Sequence, residues 1–254
     1  MGVPSFFDAY ELRARYFPAV LLAAPLFTAI QITVPSSQES LPGAIEKAGI
    51  VLAAIYVISL YVRHSGRQIQ HNLWASWNGS PSTRFARWRD ATFTRSQKLC
   101  LHRSVDAAFG IKLFSSTEED GDRGKADSVI SEAFDRVRGY LRTYDASGLV
   151  SKQNAEYGAL RNLFGIRRAF VIESGVCLTV CFVLWLPARQ PSYLWSAGAS
   201  CVYLIIGLFV GWRTLPGMVK LAADTYGRNA WSTFMAIANE TSRNTSDVRD
   251  PSEK

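Results

Sequence analysis

One carboxylate, Glu173, lies inside an apolar run of the sequence, residues 169–186. Burying that charge in a bilayer costs on the order of 2 to 3 kcal/mol at depth and less near the interface, so the residue needs a reason to be there. Two readings stand: a pore or relay residue, or a boundary residue paired with Arg167, Arg168 or Lys220. One turn further on come Cys177 and Cys181, an i, i+4 thiol pair that could contribute to a metal site. A tetrahedral site wants four ligands, however, and His64, His71 and His102 all fall outside the apolar runs. The sequence therefore predicts no metal and no cofactor.

Two arginine-bearing stretches could hold phosphate. Arg84, Arg87 and Arg89 alternate with Phe85 and Trp88, a pattern that suits either a phosphate-bearing ligand or an interfacial strip against lipid headgroups. Asn154, Tyr157 and Arg161 fall on nearby helical faces just ahead of Arg167 and Arg168, with Gly158 and Gly165 allowing close backbone approach. This second group reads as a coupling elbow, or as an ordinary capped helix whose arginines snorkel to lipid phosphates. Enzyme chemistry finds little support: there is no Walker loop, His-Glu-x-x-His or nucleophile elbow. Cys100 and His102, two residues apart, point to different faces of a helix.

The elements that must position these residues are four apolar runs, 17–34, 48–62, 169–186 and 193–212, arranged as two close pairs around a polar middle. About 20 helical residues cross a bilayer core of roughly 30 Å. The second run is short, but Pro42 suits a first helical turn, so a helix starting there carries Glu46 and Lys47 at the interface. The fold class expected is an all-α membrane protein, four transmembrane helices in two hairpins flanking a cytoplasmic helical insertion. Its segments are 1–63 (amino terminus and first hairpin), 64–166 (cytoplasmic helices), 167–213 (second hairpin) and 214–254 (carboxy-terminal helix and tail). Pro18 and Pro25 can bend the first helix, and Gly207-x-x-x-Gly211 is a close-packing spacing in the fourth.

Charge sets the orientation. Of 28 Lys and Arg, two precede the first run, eighteen lie between Arg63 and Arg168, six follow the fourth run, and the short loops carry Lys47 and Arg189. The positive-inside rule then puts both termini and the middle in the cytoplasm. The formal charge of +7 is explained by attraction to anionic headgroups, with no need for nucleic acid. Asp8 and Glu11 ahead of a long apolar run argue for an uncleaved anchor.

In the polar middle, Ile69, Leu73 and Trp77 continue the second helix as a stalk until Asn78-Gly-Ser-Pro81 stops it. Residues 94–109 read as a further helix and 115–124, rich in Asp and Glu, as a solvated turn. Residues 126–144 give the cleanest amphipathic stripe, Ile130, Phe134, Val137, Leu141 and Tyr144, whose apolar face needs a partner.

Leu73-Trp-Ala-Ser-Trp-Asn-Gly-Ser-Pro-Ser-Thr-Arg84, Asn154-Ala-Glu-Tyr-Gly-Ala-Leu-Arg-Asn-Leu-Phe-Gly165 and the opening Tyr10-x-Leu-Arg-Ala-Arg15 resemble signature stretches of an uncharacterised family of bacterial inner-membrane proteins. The resemblance implies an uncleaved bacterial inner-membrane protein with a shared cytoplasmic element, and it carries no catalytic residues across. The function expected is an oligomeric channel or membrane-disrupting effector gated through its cytoplasmic helices, with a bacterial defence system as one setting for it. Two hairpins around a helical insertion are shared with bestrophin-type channels at the level of fold analogy alone. The alternative is a non-conducting scaffold recruiting a cytoplasmic partner. The partners expected are anionic lipid, further copies of the chain, and a cytoplasmic protein or nucleotide ligand.

Overall fold

A computed structural model describes residues 11–33 and 41–247, with side chains described for 11–33 and 48–240. Tyr10 of the opening motif and residues 34–40 lie outside the described residues, as do the side chains of Glu46 and Lys47. Among the described residues there is helix and no strand. A π turn, Leu12–Tyr16, leads into α1 (Phe17–Thr33); α2 is Leu41–Ser76, α3 Pro81–Ala86, α4 Arg95–Phe109, α5 Ser116–Gly121, α6 Arg123–Tyr144 and α7 Leu149–Ala188. Then α8 (Pro191–Phe209) passes through a second π turn, Val210–Thr214, into α9 (Leu215–Asp247). Four helices are long and apolar enough to cross a membrane: Leu12–Thr33, α2 from Ala48, α7, and the run beginning at Pro191.

The chain divides into two compact units, residues 1–71 with 155–221, and 72–154 with 222–254. In the first unit, α1 packs on α8, and Thr28 Oγ1 meets the Tyr203 hydroxyl at 3.1 Å. Small and branched residues close the interior: Ala19, Leu22, Val62 and Ile166 form one cluster, and Ala29, Cys177, Cys181 and Ala197 another. Ile50, Leu52, Val57, Ile172, Val176 and Ile205 point outward, as lipid-facing side chains would.

The second unit is built on aromatic packing. The stripe Ile130, Phe134, Val137 and Leu141 of α6 is buried against Leu101 and Val105 of α4 and Trp231 and Phe234 of α9. That settles the partner the stripe needs: α4 and, from after the fourth apolar run, Ala230, Trp231, Phe234 and Met235 of α9 complete this core. Phe134 and Trp231 lie 5.1 Å apart, and Phe109 stacks on Phe234 at 5.5 Å. Two expectations need correcting. Tyr144 closes the α6 stripe in sequence but, as the last residue of the helix, is exposed, with its ring 4.4 Å from that of Tyr140. The acidic stretch 115–124 is no simple solvated turn: Ser115 and Glu118 form a capping box that starts α5, and this turns Glu119 inward.

Candidate functional site

Three sequence motifs have their structural cause at the helix ends of each unit. In the first unit the key is Pro18, which has no N–H to give the carbonyl of Ala14 four residues earlier. The chain widens into the π turn there, and the buried Asn162 amide donates to the Ala14 carbonyl at 2.5 Å. Asn162 thus replaces the donor that proline lacks. Its other amide atom, Oδ1, accepts from Arg161 Nη2 at 3.3 Å, and Arg161 also donates to Gln70 on α2. The guanidinium lies 5.8 Å from the Tyr157 ring.

Glycine makes this junction possible. A Cβ on Gly66 would run into the Asn162 side chain, and one on Gly165 would stand 2.9 Å from Gly66 N. The Ser65 hydroxyl donates to the Gly165 carbonyl at 2.9 Å, so α2 and α7 touch backbone to backbone. Tyr157, Arg161 and Gly165, singled out from sequence, therefore meet here together with Ala14 of the opening motif. Sequence reading missed Asn162, Gly66, Ser65 and Gln70. The available signal was Pro18, whose orphaned carbonyl demands a donor from elsewhere.

Further along α7, Glu173 is half-buried, with Leu26 of α1, the residue after Pro25, beside it. Among the described residues no ion pair includes it. Arg167, one of its expected partners, is directed elsewhere: its Nη1 donates to the Phe164 carbonyl at 2.6 Å, and its guanidinium lies 3.6 Å from the Phe164 ring and 5.4 Å from Trp212. Arg168 is exposed. Gly207 and Gly211 pack within the chain, a Cβ on the first standing 2.7 Å from Phe170 Cδ1 and one on the second 3.3 Å from Arg167 Cβ. Cys181 Sγ lies 3.2 Å from the Ser196 hydroxyl, with Ser174 and Ser200 also buried in these spans.

In the second unit the stretch from Leu73 to Arg84 is a helix–turn–helix. Asn78 and Gly79 take positive φ, 63° and 119°, and Ser80 caps α3 by accepting from Thr83 N–H at 3.1 Å, with Pro81 at the first helical position. Arg87, almost fully buried, fastens the turn: it donates to both carboxylate oxygens of Asp127 at 2.7 and 2.6 Å and to the Asn78 carbonyl at 2.6 Å. Arg84 pairs with Asp224 at 2.9 Å and Arg89 with Asp120 at 2.8 Å. The three arginines expected to meet phosphate are thus each answered by a carboxylate of the chain.

Lys98 completes the arrangement, its buried ammonium donating to the carbonyls of Arg87, Trp88 and Asp90. Burial pushes its pKa down, against the pull of Asp90 and Glu119. Glu119 accepts the Trp88 N–H at 3.0 Å. His102 lies 4.7 Å from Trp88 with the two rings tilted, and burial, with the nearby Lys98 charge, brings its pKa from 6.5 to about 4.

Asn154 falls in this second unit, apart from the Tyr157 and Arg161 group, and lines an open cavity of about 240 Å³ with Arg138, Arg142 and Tyr226. Among the described residues no group of three or more His, Cys, Asp or Glu is placed to hold a metal ion. No known protein family, curated protein or solved structure matches the chain. The site's own geometry is therefore what bears on function.

Proposed function

We propose that this protein is a multi-copy membrane channel or membrane-disrupting effector whose opening is set through its polar helical unit. In this reading the four spans form two hairpins around a cytoplasmic insertion in a bacterial inner membrane, with both termini cytoplasmic, as the distribution of Lys and Arg favours. The observation that carries it is Glu173: a half-buried carboxylate in an apolar span, in no ion pair among the described residues. An intramembrane carboxylate without a counter-charge is costly, and lining a conducting path or a proton relay repays that cost. The polar junction of Asn162, Arg161 and Gln70 supports the reading, since α2 and α7 both continue from it into the second unit's sequence.

The test is ion flux in liposomes, with cytoplasmic extract present so that a closed gate is not mistaken for no pore. Wild-type flux with selectivity or conductance altered by Glu173→Gln is the expected result. Flux unaffected by the substitution would remove Glu173 from the path. A second reading, a non-conducting scaffold that recruits a cytoplasmic partner, is favoured by the close packing of α8 on α7 at Gly207 and by the buried serines between the spans. Absence of flux under every condition would select it.

A further inference from the structure

The cavity of the second unit has the composition of an anion site, and we propose that it binds a small phosphate ester carrying a ring or other apolar group. The space, about 240 Å³ and open to solvent, is smaller than most ligand pockets but admits a phosphate group with part of a ring. Arg138 and Arg142 line it from successive turns of α6, which places two arginine side chains at one opening. Arg142 is exposed and enters no ion pair among the described residues; Arg138 reaches Asp135 at 2.5 Å in an exposed pair that water readily exchanges. Both are available to a phosphate, whose three acceptor oxygens match paired guanidinium forks.

The acidic residue of the lining, Asp145, keeps its charge, but both of its oxygens are directed at its own turn. Its Oδ1 accepts from the Ser147 N–H at 3.1 Å and hydroxyl at 2.5 Å, and its Oδ2 from the Val150 N–H at 3.1 Å. Burial works against ionisation, but these bonds outweigh it and hold the carboxyl below its usual range. Asp145 is thus spent on shaping the turn before α7, where Gly148 takes a φ of 61°. Ser151 and Asn154, from the first turns of α7, add neutral hydrogen-bonding groups to the rim. Leu141, Val150 and the Tyr226 ring supply the apolar wall against which the rest of the ester would lie.

The proposal stands on this cavity alone and is independent of conduction. Binding is measured by calorimetry on the full chain in nanodiscs of zwitterionic lipid, with adenosine monophosphate and inorganic phosphate as probes. Saturable binding of the ester, at least tenfold tighter than phosphate, is expected. Arg142→Ala should weaken it at least tenfold with the unfolding temperature of the empty protein unchanged, Asn154→Ala by a smaller factor. Arg136→Ala, on the same helix and outside the cavity lining, should leave it intact. Repeating the titration in phosphatidylserine nanodiscs separates the sources: unaltered affinity means a soluble ester, whereas competition that Arg142→Ala abolishes means a lipid headgroup phosphate. No saturable binding of either probe, or equal weakening by Arg136→Ala and Arg142→Ala, would overturn the site.

Discussion

At the scale of single residues, the second unit depends on a few charged groups that have left solvent. Arg87 is the clearest, and Arg87→Ala leaves the Asn78 carbonyl and the Asp127 carboxylate without their donor. The cost should be about 2 to 3 kcal/mol in thermal or denaturant unfolding, below the fully buried case because Asp127 is partly solvated. Arg87→Ala with Asp127→Ala should recover part of it, and strict additivity would refute the pairing. His102 gives a pH dependence. Between 6.5 and about 4 the unfolded chain takes up a proton that the folded chain refuses, so stability is fully present above pH 6.5 and falls as pH drops toward 4. After allowance for solvent screening the loss is about 1 to 2 kcal/mol, and His102→Gln should flatten the unfolding profile across that window. The partners of these residues were not legible in the sequence, because Arg87 and Asp127 are forty positions apart and a basic run beside aromatics looks alike whether it meets lipid or carboxylates.

At the scale of elements, the proline–asparagine exchange between α1 and α7 makes a sharper prediction. Asn162→Ala leaves the Ala14 carbonyl orphaned in an apolar setting, which should cost about 1 to 3 kcal/mol. Pro18→Ala restores a backbone N–H to the same carbonyl, so the double variant should be less destabilised than Asn162→Ala alone. A double variant as unstable as the sum would show that the asparagine serves packing instead. Gly165→Ala should cost about 1 to 3 kcal/mol by forcing α2 away from α7, where no side chain can swing aside. The existence of the helices was readable from period and punctuation: the second apolar run does continue to Ser76, and the helix of 94–109 starts at a Thr94 cap with a Gln97 capping box. The π turns were not readable, since nothing in local composition marks a single extra residue per turn.

At the scale of the whole molecule, the glycine pair of the fourth span is occupied inside one chain, against Phe170 and Arg167. Gly207→Leu with Gly211→Leu should therefore lower the unfolding temperature of the detergent-solubilised protein itself; a folded particle of merely reduced size would show that the pair joins copies. A reporter fused at Gly121 should read cytoplasmic and one at Gln38 external, and the reverse would overturn the orientation drawn from charge. The four spans were legible because hydrocarbon admits so few solutions to backbone hydrogen bonding. The sharing of the second unit's core with residues after the fourth span was not, because a mixed-polarity helix says what it needs and not from where along the chain it will be met.

The second π turn carries a consequence for chain length. In an unbroken α-helix Gly207 and Val219, twelve residues apart, would face about 120° away from each other, whereas absorbing one residue at Val210–Thr214 brings them to within about 20°. Both are in fact buried. The turn thus acts as a spacer that keeps two buried faces in phase, and a one-residue deletion within it is no small change: every side chain downstream would be dealt to a different neighbour, while a compensating single-residue insertion anywhere between 210 and 214 would restore the original pairing.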